Sequence, residues 1–454
     1  LFARFFTTAS LVLVMCFLAH NLKIDDYGAY QRFWVQLSVF NIITTWGLHL
    51  SLPVFSPEQI IDFMVCINKR QWTIISILTL ISGAVFGILQ WNQHIHFFVA
   101  MIVLMASAVA MVFEAILLSL KKFRFVIVVN FLYALSFLAI HLIVLKGGWH
   151  LDKLVILLAS LLVLKNSITA VFLRKWMAKS GKKDTSEAEY KKHIPFFFQM
   201  YTYAVLTATA VWLDKFLISL LLKNEETAIY VNGTYDIPFL PLVFTAVGSA
   251  ALMSLTNTTD YKLVAQTIYN NGRLLSCIAF PLFFYLFFFS REIIVFLFSE
   301  KYLASVGIFL FSILVIPVRA NIHTTGLQYL KRGDIINYGA LMDIVLAVIL
   351  MPLLYFWIGL KGIALAFVIS TYVQSAYYTY KSSKYLHTPV YKFIPFINWS
   401  GKLLLALLVM YFVKQAITPD LGLLTQLLLG AFFLVALSLA LICFDAIHLK
   451  RKLS

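Results

Sequence analysis

Charge is what this sequence has least of. Only 12% of its 454 residues are Asp, Glu, Lys or Arg, against roughly a quarter in an ordinary soluble domain. With 61% hydrophobic residues and a mean hydropathy of +0.89, that scarcity excludes a soluble globular chain. Cysteine is scarce too. Cys16, Cys66, Cys277 and Cys443 lie far apart with no CxxC pair, which argues against a disulfide framework. There is no HExxH, so neither a metal centre nor a cofactor is expected. No Ser/His/Asp cluster and no long outer loop suggests a catalytic residue, so the chain is not expected to be an enzyme. Acids are outnumbered by bases, 20 to 36. In so apolar a chain that excess belongs to cytoplasmic loops, and no nucleic-acid partner is expected. The first apolar stretch has no small-residue cleavage site and reads as a retained helix.

What is present is a succession of apolar runs. A spanning helix needs roughly 20 such residues. Fourteen runs fit: 3–22, 28–52, 72–90, 97–119, 125–145, 152–173, 195–222, 228–255, 273–290, 303–327, 335–357, 362–380, 396–413 and 421–444. The expected fold is an all-α polytopic membrane protein. With the N-terminus in the cytoplasm, 24 Lys and Arg fall on the inner side, counting Lys402 as an interfacial residue, and eight on the outer side. That bias sets the orientation, and an even number of spans returns the C-terminus inside.

The two halves resemble each other. "LFARFFTTASLVLVMCFLAHNLKIDDYGAYQ" parallels "VWLDKFLISLLLKNEETAIYVNG", with Tyr30 and Tyr230 at the same place. "ILLSLKKFRFVIVVNFLYALSFL" parallels "LQYLKRGDIINYGALMDIVLAVI", with Lys121 matching Lys331. The expected organisation is a six-helix lobe over 1–173, a basic cytoplasmic linker over 174–193, a second six-helix lobe over 194–385, and two extra helices with a basic tail over 386–454. Parallel repeats of this kind build transporters with the substrate between the halves.

"WLDKFLI" followed by "ETAIYVNGTYDIPFLPL" resembles the polysaccharide (O-antigen repeat-unit) flippases. So do "FLFSEKYLASVGIFLFSILVIP" and "LQYLKRGDIINYGALMDIVLAVILMPLLYFWIGLKGIALAFVIS" downstream, and "YGAYQRFWVQLSVFNIITTWGLHLSLP" upstream. The sequence departs from the pattern at "GLKGIALAF", where Ile363–Ala364 stands for a pair of alanines. These flippases belong to the multidrug, oligosaccharidyl-lipid and polysaccharide exporter superfamily. The resemblance implies a two-lobed, V-shaped bundle in a bacterial inner membrane, working as a monomer by alternating access. It implies a polyprenyl-pyrophosphate-linked oligosaccharide as substrate, moved from inner to outer leaflet for cell-surface polysaccharide or lipopolysaccharide assembly, with glycosyltransferases and a polymerase as partners. Two other readings compete: a cation-coupled multidrug exporter of the same superfamily, and a glycan-modifying membrane enzyme such as a polymerase.

Charges inside a bilayer cost at least about 2.5–3.5 kcal/mol at a helix centre and mark cavities or partners. Asp214 shares a helical stripe with Tyr203 and Thr207, as a cavity charge, a coupling group for H+ or Na+, or an inter-helix partner. Its neighbour Lys215 points about 100° away, so the two are not expected to pair; Lys215 edges the cavity as a substrate contact, pairs with a neighbouring helix or reaches toward the outer surface. Arg319, on a stripe with Ser312 and His323 beside Pro317, is the leading phosphate candidate, since Arg binds phosphate in bidentate fashion. Lys165 contacts substrate or pairs with Glu114, itself a possible coupling site. Asn41 and His49, with Ser38 and Thr45, form a candidate sugar-facing wall or ordinary inter-helix contacts. Arg32 either contacts substrate or snorkels. Asp343 is a packing group or a second coupling site.

Overall fold

A computed structural model describes residues 2–46, 48, 52, 69–179, 201–202, 205–206, 209–235, 244, 247–248, 250–252, 254–255, 260–418 and 420–453. Among them there are helices and turns but no strand. The chain forms two compact units, Leu1–Ala228 and Ile229–Ser454. The basic segment 174–193 lies outside the described residues from 180 onward, as do residues 236–243 of the expected eighth span.

The first unit holds α1 (Phe2–Asn21), α2 (Ile24–Thr44), α3 (Lys69–Trp91), α4 (Phe97–Ser119), α5 (Phe123–Lys146) and α6 (Leu151–Lys179). A helix over 209–221, α7, follows, and then the start of α8 (Asn224–Gly233). The second unit holds the rest of α8, α9 (Tyr261–Phe288), α10 (Ser290–Phe298), α11 (Ala304–Ser312), α12 (Val315–Val318) and α13 (Thr325–Tyr329). It continues with α14 (Gly333–Ile358), α15 (Leu360–Tyr385), α16 (Phe396–Ala416) and α17 (Leu423–Leu453).

Among the described residues, seven helices are long and apolar enough to cross a membrane, and three shorter apolar helical stretches lie at 5–21, 75–91 and 304–318. In α14 the apolar stretch has a mean hydropathy of 2.3 although only 17% of it is buried within the protein. A water-facing helix with so little buried would be polar on its remaining faces. The outer surface is therefore built for lipid, and exposed Phe356, Trp357 and Ile397 belong to it. Helices α2 and α15 reach spanning length but carry more polar side chains along their faces.

Two pairs of stretches that resemble each other in sequence also share local geometry. Residues 23–30 and 223–230 alternate between exposed, half-buried and buried in the same order. In both turns the residue four after the lysine bonds back to it, Tyr27 to Lys23 and Thr227 to Lys223, each at 3.0 Å. Acids then fill the first turn of each helix, Asp25 and Asp26 in α2, Glu225 and Glu226 in α8, where the helix dipole favours them. The second pair matches as closely. Lys121 and Lys331 have φ of 56° and 55°. Lys121 N–H donates to Leu118 O and Lys122 N–H to Leu117 O; Lys331 donates to Gln328 and Arg332 to Leu327. Both are Schellman endings, in which a left-handed residue lets two backbone amides satisfy the last carbonyls. Lysine in a left-handed position costs about 1 kcal/mol that glycine would avoid. Its charge offsets part of this against the helix C-terminal dipole.

One span differs between the halves. Helix α4 runs unbroken for 23 residues. The corresponding stretch 304–329 breaks into α11, α12 and α13, with 319–324 non-helical. Pro317 has no N–H to give to the carbonyl four residues back. The Ile313 carbonyl instead accepts from Ile316 N–H at 2.9 Å, a tighter turn. The expected single span 303–327 is thus corrected to three pieces. The expected start of span nine is corrected as well: α9 begins at Tyr261, twelve residues before 273.

Candidate functional site

In the first unit, several sets of polar side chains cross the bundle. Lys165 on α6 donates to Asn130 Oδ1 on α5 at 3.0 Å, and Asn130 Nδ2 donates to Glu114 Oε2 on α4 at 3.3 Å. The Lys165 ammonium also sits 4.5 Å from the centre of the Tyr133 ring, a cation–π contact that helps hold a desolvated charge. Lys165 and Glu114 therefore share one chain, joined through an amide rather than by direct contact. Asn41 on α2 accepts from Ser107 on α4 at 2.6 Å. Ser38 and Thr45, its stripe companions, donate to carbonyls of their own helix. His49 lies outside the described residues.

The second set ties α3, α2 and α7 together. Gln90 donates to Gln36 Oε1 at 2.6 Å, and Gln36 Nε2 donates to Ser219 Oγ at 3.2 Å. Arg32, one turn earlier on α2, donates through Nη2 to the Leu222 carbonyl at the end of α7. At Gly28 the backbone passes so close to the Asn224 carbonyl that a Cβ would overlap it. The two repeat-related turns thus meet where α2 has a glycine.

Asp214 and Lys215 are the point where geometry overturns the expectation from helical spacing. Lys215 donates its backbone N–H to Asp214 Oδ1 at 2.7 Å, and its ammonium curls back to 3.9 Å from Oδ2. A flexible four-carbon stem lets adjacent charges meet on one side of the helix. Asp214 is buried, at 4% exposure. Tyr203 and Thr207, its expected stripe neighbours, lie outside the described residues.

In the second unit, Arg319 ends α12 at the break. Among the described residues its guanidinium makes no hydrogen bond or ion pair. The stripe of Ser312, Arg319 and His323 does not exist as such, because 319–324 is not helical. Ser312 instead donates to the Gly233 carbonyl at 3.0 Å. His323 closes the break. Its Nε2 donates to the Val318 carbonyl at 2.9 Å, and Nδ1 lies 2.8 Å from Thr379 Oγ1. That hydroxyl is also 2.9 Å from the Ser375 carbonyl. One hydroxyl hydrogen cannot serve both acceptors, so the protonation of the ring decides which one receives it. Asp343 on α14 is buried and hydrogen-bonds Ser370 on α15, while its Oδ1 has no partner among the described residues.

Sequence reasoning missed the most buried ionic cluster. Asp445 on α17 accepts from Arg273 on α9 at 2.7 Å and from Lys402 on α16 at 2.6 Å. Lys402 also donates to the Arg273 carbonyl and to Ser276 Oγ. Lys402, read from sequence as interfacial, is only 4% exposed. The expected topology held only a coarse hint: Arg273 and Asp445 fall at the inner ends of their spans, and Lys402 falls in the inner half of its own. His141 was missed too. It donates from Nδ1 to the Phe137 carbonyl at 2.7 Å, which leaves Nε2 to accept from Tyr30 at 3.3 Å. The described residues hold no group of three His, Cys, Asp or Glu side chains placed to bind a metal ion.

No family model matches the chain, and no curated protein matches it by sequence. Solved structures do match. One is "Lipid II flippase MurJ, inward closed conformation", with a TM-score of 0.68, 16% identity, and coverage of 96% of this chain and 97% of that one. Another is an inward-facing multidrug resistance MATE family transporter of the MOP superfamily, with a TM-score of 0.54, 13% identity, and coverage of 84% and 94%. At such low identity the likeness is one of fold: the chain shares an all-helical fold with a Lipid II flippase and a MATE family transporter.

Proposed function

We propose that the chain flips a polyprenyl-pyrophosphate-linked oligosaccharide from the inner to the outer leaflet by alternating access, in a bacterial inner membrane with both termini in the cytoplasm. The observation that carries this reading is Arg319, an intramembrane guanidinium at a broken helix with no counter-ion among the described residues. A diphosphate substrate supplies the missing anion, and a planar guanidinium grips it with two parallel hydrogen bonds. Lys165, held by a neutral amide and an aromatic ring, is the corresponding cation of the first unit. Asn41 and Ser107 suit sugar hydroxyls, and Asp214, Glu114 and Asp343 are the groups for H+ or Na+ coupling. Asp343 has an oxygen to spare for a proton or a small cation. The Arg32–Leu222 and Gln36–Ser219 bonds must break for α2 and α7 to part, which suits a gate that opens each cycle. Glycosyltransferases and a polymerase would act before and after this step, and a monomer suffices.

The test is depletion in cells, followed by leaflet-resolved assay of lipid-linked oligosaccharide. Inner-leaflet accumulation is expected, and Arg319→Gln should reproduce it, with a loss of transport of about a hundredfold if both guanidinium bonds, at ~1.5 kcal/mol each, act in the transport cycle. Undiminished outer-leaflet delivery in cells lacking the protein and any paralogue would sink the reading. Export of organic cations with no effect on glycolipid would favour the multidrug alternative.

A further inference from the structure

The turn between α1 and α2 and the turn between α7 and α8 border an open, shallow cavity of about 700 Å³. Its charged lining is Asp25, Arg32, Lys223, Glu225 and Glu226, with Leu221 beside them. Some of this charge is already used. Glu226 accepts from the Lys223 backbone N–H at 3.1 Å, and Arg32 Nη2 is given to the Leu222 carbonyl. What is left divides by sign. Arg32 Nε has no partner among the described residues, and the Lys223 side chain is exposed. Asp25 and Glu225, one in the first turn of each repeat-related helix, are exposed carboxylates. A purely anionic ligand meets three carboxylates against two cations, and a purely cationic one meets Arg32 and Lys223. A ligand carrying both charges, a few atoms apart, meets complementary groups at each end.

The surroundings say what else the ligand carries. The cavity lies at the ends of α1 and α7, where apolar helix gives way to polar turn, the level of a lipid headgroup. Leu221, at its rim, is 77% exposed, and an acyl chain would cover it. We propose that this cavity binds a zwitterionic phospholipid with a primary ammonium beside its phosphodiester. The phosphate faces Arg32 and Lys223, the ammonium faces Asp25 and Glu225, and a chain lies along Leu221. A primary ammonium donates hydrogen bonds to carboxylates, which a quaternary one cannot do. Since the same two turns meet at Gly28 and Asn224, the bound lipid holds them together and favours the closed arrangement of α2 and α7. This inference stands whatever the transported substrate is.

The experiment titrates the purified full chain in detergent with dihexanoyl phosphatidylethanolamine, phosphatidylcholine and phosphatidylglycerol, and with glycerophosphoethanolamine as the headgroup without chains. The ethanolamine lipid is expected to bind about tenfold or more tightly than the other two lipids, the worth of one charge-assisted hydrogen bond. Glycerophosphoethanolamine should bind more weakly than its lipid by a similar factor, roughly what two buried methylenes contribute. The double variant Asp25→Asn/Glu225→Gln should lose the preference for ethanolamine over choline. Lys223→Gln, at an exposed position that leaves the fold intact, should weaken both lipids equally. Equal binding of the ethanolamine and choline lipids by the unaltered protein overturns the proposal. So does a preference that survives the double variant, or a bare headgroup that binds as well as the lipid.

Discussion

Helix α4 and the stretch 304–329 occupy corresponding places in the two halves, yet one is continuous and the other is in three pieces. The turns that follow them, at Lys121 and Lys331, agree to within a degree in φ. The halves therefore share their turns and differ in the interior of a span. A turn at the membrane boundary is fixed by backbone hydrogen-bonding needs that both copies inherit. The interior of a span is free to diverge provided that its polar groups find partners. The first half keeps the helix and places one acid, Glu114, on it. The second half breaks it with Pro317 and closes the gap with a side chain, His323 to the Val318 carbonyl.

The comparison can be broken first at Gly28. Its repeat partner is Ala228, fully buried, so alanine is tolerated at one of the two equivalent positions. At Gly28 the added methyl overlaps the Asn224 carbonyl. Gly28→Ala should destabilise by about 1–3 kcal/mol, the usual cost of overpacking, while Ala228→Gly costs about 1 kcal/mol or less. Thermal unfolding of both variants in the same detergent checks this; equal losses would mean that the two turns do not meet at this point. Pro317→Ala is the next largest. Proline inside a helix costs about 3 kcal/mol relative to alanine, but the His323–Val318 bond and the 3.3 Å bond from Asn321 Nδ2 to the Phe393 carbonyl oppose re-winding, so a gain of about 1 kcal/mol is expected, with transport reduced. An unchanged transport rate would show that the break is not needed. Smallest are Lys121→Gly and Lys331→Gly. Each relieves about 1 kcal/mol of left-handed strain and loses about 0.3–1 kcal/mol of dipole interaction. The two variants should shift the unfolding temperature in the same direction and by the same amount; a difference between them would break the symmetry of the turns.

Apolar runs made most helices legible, because a bilayer demands them whatever the fold. Helix α5 (Phe123–Lys146) is the expected span 125–145 within two residues. Helix α9 was read short because "YKLVAQTIYNNGR" is too polar for lipid, and hydropathy reports membrane depth rather than helix length. The landmarks at Tyr30/Tyr230 and Lys121/Lys331 were visible because turns carry distinctive charges. Long-range pairing was not. Nothing local in "NGRLLSC", "WSGKLLL" or "ICFDAIH" announces that Arg273, Lys402 and Asp445 meet. Lys165 and Glu114 were read as possible partners, but the amide between them, Asn130, is one more polar residue in an apolar helix and carries no sequence mark.

The Arg273–Asp445–Lys402 cluster also acts as a depth gauge. Its short ion pairs pin three helices at one level. Sliding α17 past its neighbours would strain both pairs, and sliding α16 would strain the Lys402–Asp445 pair, more with each residue rise of about 1.5 Å. The last two helices therefore cannot respond to a thinner or thicker bilayer independently of α9. Any adjustment to membrane thickness must be made by tilting the three as one unit.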